Sequence, residues 1–298
     1  MDHIKSYIDY LQFEKRYSKH TLQAYQNDLG QFGQYLRERF DTDIIRADYQ
    51  HIRSWIVYLS AENISRRSIN RKITCLRSFY KYQKIKGVVE HNPAVKIKLL
   101  KTPKQLPVFV EEASMEHLFD EDVFPRDYKG RLSKSIVDLL YATGMRVSEL
   151  VNLKTANIDW HNRQLKVLGK RNKERIIPLS DQVIESLHLY NKEREKYFTQ
   201  KGIETDTQYL FVSQKGKKIY NKFVYRIINY YLSLVTTIKK RSPHVIRHTF
   251  ATHMLNRGAD LNAIKEILGH ANLAATQVYT HNTIEKLKDV YKQAHPKA

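Results

Sequence analysis

The densest chemistry in this 298-residue chain lies in Ser242-Pro243-His244-Val245-Ile246-Arg247-His248. Ser242 suits a helix N-cap and Pro243 the first helical position, so a helix begins here with unpaired N–H groups that attract anions. His244 and Arg247, three residues apart, share one face of its first turn and can address one phosphate together. His244 and His248 have the i, i+4 spacing of a zinc pair. Val245, however, stands where a zinc hydrolase has Glu, and Arg247 sits between the imidazoles, so a metal is disfavoured.

Four further stretches add reactive groups. In Thr143-Gly144-Met145-Arg146-Val147-Ser148-Glu149, Arg146 follows a glycine turn at the mouth of a helix, where it can face a phosphate with bidentate geometry. Glu149 can orient it from the same helix face; the plain alternative is a surface ion pair. Lys170 sits in a hairpin turn crowded by Lys173 and Arg175, where a lone lysine is ordinarily solvated. Gly169-Lys170 lacks the two-glycine frame of a phosphate-binding loop. Asp260 to Gly269 reads as a capped helix with His270 just past its end, and Tyr279 follows nine residues later. With 20 tyrosines in the chain, Tyr279 is not singled out by frequency.

Two arginines, two histidines, a lysine and a tyrosine suit attack on a phosphodiester by a phenolic oxygen. Arg146 and Arg247 can neutralise the charge that spreads over the non-bridging oxygens in the transition state. Tyr279 would be the nucleophile, with a pKa of about 10 that calls for help from His244 or His270. Lys170, its pKa lowered among other cations, suits protonation of the leaving 5′ oxygen.

The elements that must hold these groups follow from periodicity. Ile4, Tyr7, Ile8 and Leu11 recur at helical spacing, as do Leu22, Tyr25, Leu29, Phe32, Tyr35 and Leu36 after a Ser18 cap. Helices are expected over about Tyr49–Leu59 and, after Ser65, along Ile69 to Tyr80, ending by Gly87. From Asn92 to Val110 three prolines and four lysines follow no period, which reads as a basic linker. Beyond it a helix is expected at about Ser133–Ala142, stopped by Gly144, and another from near Val147. A hairpin is expected with strands at Gln164–Leu168 and Arg175–Leu179, and the remainder mostly helical. The stretch from Phe119 to Tyr128 is acidic and irregular and suggests no function.

Composition sets the partner. Lys and Arg total 51 against 31 Asp and Glu, a formal charge of +20, with 18 basic and 10 acidic residues in positions 1–100 and 33 and 21 thereafter. Basic charge on both parts fits two segments touching one polyanion. No run of 18 apolar residues supports a membrane span, and the acidic, polar start argues against a secretory signal. The single cysteine, Cys75, cannot form an internal disulfide or a multi-cysteine zinc site, so a cytoplasmic setting is expected.

The ordered motifs Ala142-Thr143-Gly144-Met145-Arg146-Val147-Ser148-Glu149-Leu150, Gly169-Lys170 to Arg175, His244 to His253, Leu268-Gly269-His270 and Tyr279-Thr280-His281 resemble the tyrosine recombinase (phage integrase) family, most closely its Xer branch. Thr21, Tyr25 and Asp28 resemble that family's N-terminal DNA-clamp domain. The resemblance implies a mainly α, two-domain DNA clamp: a helical SAM-like domain over 1–91, a linker over 92–110, and a catalytic domain over 111–298 with a small β-hairpin and a C-terminal exchange helix. It implies that Arg146, Lys170, His244, Arg247 and His270 activate the scissile phosphate, with Glu149 in support, and that Tyr279 becomes linked to the 3′ phosphate without metal or ATP. Arg171 departs from the family's usual glycine after the lysine. The implied partners are double-stranded DNA, the chain itself or a sister recombinase in a tetrameric synaptic complex, and a DNA translocase such as FtsK. The implied role is resolution of chromosome dimers at a terminus site; a mobile-element integrase or transposase with the same chemistry is the alternative.

Overall fold

The computed structural model describes residues 2–103, 108–120, 122–169, 174–269, 290, 291 and 293–296. The chain forms two compact units, Met1–Gln105 and Leu106–Ala298. Among the described residues no helix is long and apolar enough to cross a membrane.

The first unit is helical: α1 (His3–Asp9), running into a π-helical turn at Tyr10–Glu14, then α2 (Lys19–Phe40), α3 (Tyr49–Ala61) and α4 (Arg66–Ile85). Ser18 and Ser65 cap α2 and α4 through their side chains, accepting from the backbone N–H of Thr21 and Ser68, as the sequence leads one to expect. Phe32, Trp55, Phe79 and Tyr80 fill the centre; full burial of such side chains contributes roughly 1.5–3 kcal/mol each. Asp28, almost fully buried, accepts from Lys72 Nζ at 2.8 Å and from Arg71, which fastens α2 to α4.

Much of the proline-bearing stretch is anchored rather than loose. Leu100 exchanges two 2.8 Å hydrogen bonds with the Asn70 side chain, and Ala94 and Ile97 are buried in the first unit's core. Val110 lies in the core of the second unit, where its N–H donates to Thr249 Oγ1 at 2.9 Å.

The second unit contains α5 (Glu112–Leu118), α6 (Tyr128–Thr143), α7 (Val147–Leu150), strands β1 (Ile158–Asp159), β2 (Gln164–Leu168) and β3 (Glu174–Pro178), then α8 (Asp181–Lys201), α9 (Asn221–Val235), α10 (Pro243–Asn256) and α11 (Leu261–Leu268). The sheet is antiparallel in the order β1-β2-β3, one strand more than the expected hairpin. Helix α6, which packs on α8 and α10, begins five residues before the expected Ser133. Its cap is Asp127, whose carboxylate accepts from the Gly130 N–H at 2.8 Å. The acidic stretch is therefore partly structural: besides this cap, Phe124 stacks on Tyr231 with ring centroids 4.2 Å apart.

Two features of this unit aim the site. Gly144 ends α6 in the left-handed region (φ +57°), and a Cβ there would lie 2.5 Å from Phe250 and 2.7 Å from Leu268. Only glycine lets the end of α6 approach the middle of α10 and the end of α11 this closely. Beneath them His253 bridges Tyr141 Oη and the Val110 carbonyl, both at 2.8 Å. Because a carbonyl can only accept, His253 donates from Nε2 and accepts at Nδ1 from the tyrosine, and burial pushes its pKa down. At the C-terminus, Tyr291, Ala294 and His295 are buried in this same chain's core, with His295 Nε2 3.2 Å from the Tyr141 carbonyl.

Candidate active site

Arg146 stands at the N-cap of α7, where the chain leaves the Gly144 turn. Its backbone N–H donates to Glu149 Oε2 and its Nη1 to Glu149 Oε1, both at 2.9 Å. The orienting role expected of Glu149 thus has a definite geometry, and the carboxylate is buried rather than solvated. Burial would raise the Glu149 pKa, but Arg175 first, then Arg146, overcome it and hold the carboxyl below its ordinary value.

Arg247 projects from the second turn of α10 and is 9% exposed. Its Nη1 donates to the Gly144 carbonyl at 2.7 Å and its Nη2 to the Leu268 carbonyl at 2.8 Å. Burial, then repulsion from Arg146, pushes its pKa down to about 10, with Glu149 opposing the shift. It remains a cation at neutral pH. His244, one turn earlier on α10, faces outward. Partial desolvation, followed by His248, Arg247, Lys240 and Arg146, lowers its pKa, so the imidazole is neutral at pH 7 and able to accept a proton. Arg146 and Arg247 donate to adjacent carbonyls at the end of α11 and His244 lies one turn before Arg247 on α10, so the three share one electropositive neighbourhood.

Ser242 occupies the N-cap of α10 with Pro243 at the first position, but its side chain makes no cap hydrogen bond. Its Oγ is buried and has no hydrogen-bond partner among the described residues. Lys170, His270 and Tyr279 lie outside the described residues. Described neighbours exist for the first two: Leu168 pairs with Glu174 on either side of the turn in which Lys170 falls in sequence, and Gly269 closes α11 in the left-handed region (φ +63°) immediately before His270.

Arg175 is the residue that sequence reading passed over, as one cation crowding a turn. It is 5% exposed and donates to both Glu149 oxygens, Nη1 to Oε1 at 3.2 Å and Nη2 to Oε2 at 2.7 Å. The signal was strand alternation, since Arg175 and Ile177 share the buried face of β3, and a charge on a buried face requires a partner.

Paired arginines where α7, α10 and α11 meet, in a mainly helical chain, form an electropositive site suited to an anionic group such as a phosphate. The sequence pattern of the phage integrase family matches residues 109–286, and that of the phage integrase N-terminal SAM-like domain matches residues 4–87. The chain belongs to this family, the tyrosine recombinases, and is an enzyme that cuts and rejoins DNA strands. Within it, the chain is 40% identical to the tyrosine recombinase XerC of Staphylococcus saprophyticus, covering 99% of this chain and 97% of that protein. It is 36% identical to XerC of Oceanobacillus iheyensis, covering 99% and 96%. Among solved structures, the XerH site-specific recombinase bound to palindromic difH substrate superposes with a TM-score of 0.72 at 21% identity, over 90% of this chain and 78% of that one. At that identity the likeness speaks to the fold.

Proposed function

We propose that this chain is a site-specific recombinase that works through a 3′-phosphotyrosine at Tyr279 and resolves chromosome dimers at a terminus site. The observation that carries the reading is the Arg146–Glu149–Arg247 arrangement: two guanidinium groups, each held by protein acceptors, beside a neutral His244 at a helix N-terminus. Such preorganised charge serves a transition state whose negative charge spreads over the phosphoryl oxygens. Tyr279 Oη attacks phosphorus, the new P–O bond forms, and the bond to the 5′ oxygen breaks. His244 or His270 takes the phenolic proton, and Lys170 returns one to the leaving 5′ oxygen. The 5′ hydroxyl of a partner strand then reverses the step. The phosphotyrosine retains the energy of the broken bond, so the chemistry needs no ATP.

Full-length similarity to XerC proteins supports dimer resolution, a role that calls for double-stranded DNA, a tetrameric synapse of this chain with itself or a sister recombinase, and a cytoplasmic setting. The +20 charge supplies sequence-independent, salt-sensitive grip on the duplex. Strand-end analysis tests the chemistry. A nicked duplex built on the site that footprinting of genomic fragments returns is cleaved and digested with protease. The 5′ ends are expected to accept label from kinase without phosphatase treatment, while the 3′ ends stay blocked by peptide. Free 3′ hydroxyls with 5′ phosphates would contradict the assignment. The resolution of a plasmid carrying two copies of that site separates the dimer-resolving role from that of a mobile-element integrase.

A further inference from the structure

We infer that Arg175 is a positioning residue for strand cleavage: it fixes Glu149, and through it Arg146, to the end of α11 that leads into His270. This rests on the reading of Arg146 and Arg247 as phosphate-binding groups.

Three consecutive carbonyls at the C-terminus of α11 each accept from a different arginine. Ile267 accepts from Arg175 Nε at 2.7 Å, Leu268 from Arg247 Nη2 at 2.8 Å, and Gly269 from Arg146 Nη2 at 3.4 Å. A helix leaves its last carbonyls without intrahelical partners, and they carry the negative end of its dipole, so the three guanidinium groups converge on a natural acceptor. Arg175 ties β3, α7 and α11 together. It issues from β3, directly after the hairpin turn that holds Lys170, and its fork reaches α7 through Glu149 and α11 through Ile267.

Packing does not account for an arginine here. Arg175 lies opposite Val167, on the buried face it shares with Leu165 and Ile177, where an apolar side chain would fit. A buried ion pair is seldom more stable than its apolar replacement, so its presence points to what it orients. Charge balance supplies the reason. With Arg175 present, Glu149 divides its two oxygens between two guanidinium groups, and the cluster of Arg146, Arg175, Arg247 and Glu149 stays positive for a phosphate. Without it, the cluster loses one positive charge and the carboxylate is held by Arg146 alone, so the orientation of Arg146 is less firmly fixed. A lysine keeps the charge but cannot supply three donors in one rigid fork. Gly269 leaves the room required: a Cβ there would approach Arg175 Nη1 to 3.2 Å in a backbone conformation that disfavours side chains.

The test compares the full-length wild type with Arg175→Met and Arg175→Lys on the nicked duplex, following adduct formation at saturating DNA, duplex affinity and the pH dependence of cleavage. Arg175→Met is expected to cleave about 100-fold more slowly with affinity changed less than about threefold. Its acid limb moves to higher pH. Among the described residues, the charged groups facing Glu149 are Arg146 from α7, Arg175 from β3 and Arg247 from α10. Losing the largest favourable one lets burial raise the carboxyl, which then takes up a proton sooner as pH falls and releases Arg146. Arg175→Lys is expected to restore the wild-type acid limb while remaining about 10-fold slow. Wild-type cleavage by either variant overturns the inference. So does a Met variant that loses cleavage with its acid limb unmoved, the mark of a packing role. Should Arg175→Met fail to fold, the Lys variant decides alone by its rate at wild-type affinity. If the wild type itself forms no covalent adduct, the strand-cutting reading fails; if it does and both variants match it, only this inference falls.

Discussion

Replacing Arg247 by Ala is expected to slow strand cleavage by about a thousandfold or more while duplex affinity changes by less than about threefold. The asymmetry follows from where the charge sits. Arg247 is one of 51 basic residues, and salt-sensitive grip on a duplex is shared among many of them. On the proposed reading the transition-state phosphate meets, by contrast, a guanidinium already oriented by the Gly144 and Leu268 carbonyls, and no mobile surface cation can replace it. Arg247→Lys keeps the charge and is expected to recover little, because an ammonium cannot hold two carbonyls and still present a planar fork. Gel-shift affinity set against single-turnover adduct formation measures the two effects separately. Equal loss of binding and cleavage would show that Arg247 serves the fold instead.

The second large effect is on stability. Glu149→Leu removes the acceptor shared by Arg146 and Arg175, of which Arg175 is almost fully buried. Leaving the buried Arg175 without its counter-charge costs about 3–5 kcal/mol, and cleavage is expected to fall with it because Arg146 loses its orientation. Denaturant unfolding is the measurement, with a midpoint shift at constant slope expected. A loss below about 1 kcal/mol would mean that Glu149 forms only the surface ion pair that its i, i+3 spacing first suggests.

Local features of this site could be read from the sequence, whereas contacts between distant segments could not. Gly144 and Gly269 announce helix ends, and both adopt the left-handed conformation that such ends use. Ser18, Ser65 and Asp260 announce helix starts, and each accepts the backbone N–H groups expected of a cap. Short or masked signals were missed. Strand β1 is two residues long, too short to show alternation, and the first turn of α6 hides among acidic residues because its cap is itself an aspartate. Ser242 shows the limit of position alone: it occupies the cap site without using its hydroxyl. Arg175 was invisible because its partners, Glu149 and Ile267, come from α7 and α11, and only the folded chain brings β3 between them.

Tyr279 is the proposed nucleophile, and covalent capture measures its role most directly. Wild-type protein incubated with the nicked duplex, in which the cleaved fragment diffuses away and religation is blocked, is expected to yield a protein–DNA adduct that survives denaturant. Tyr279→Phe, which removes only the phenolic oxygen, is expected to bind the same duplex and form none. An adduct from the Phe variant as abundant as that from the wild type would show that Tyr279 is not the nucleophile.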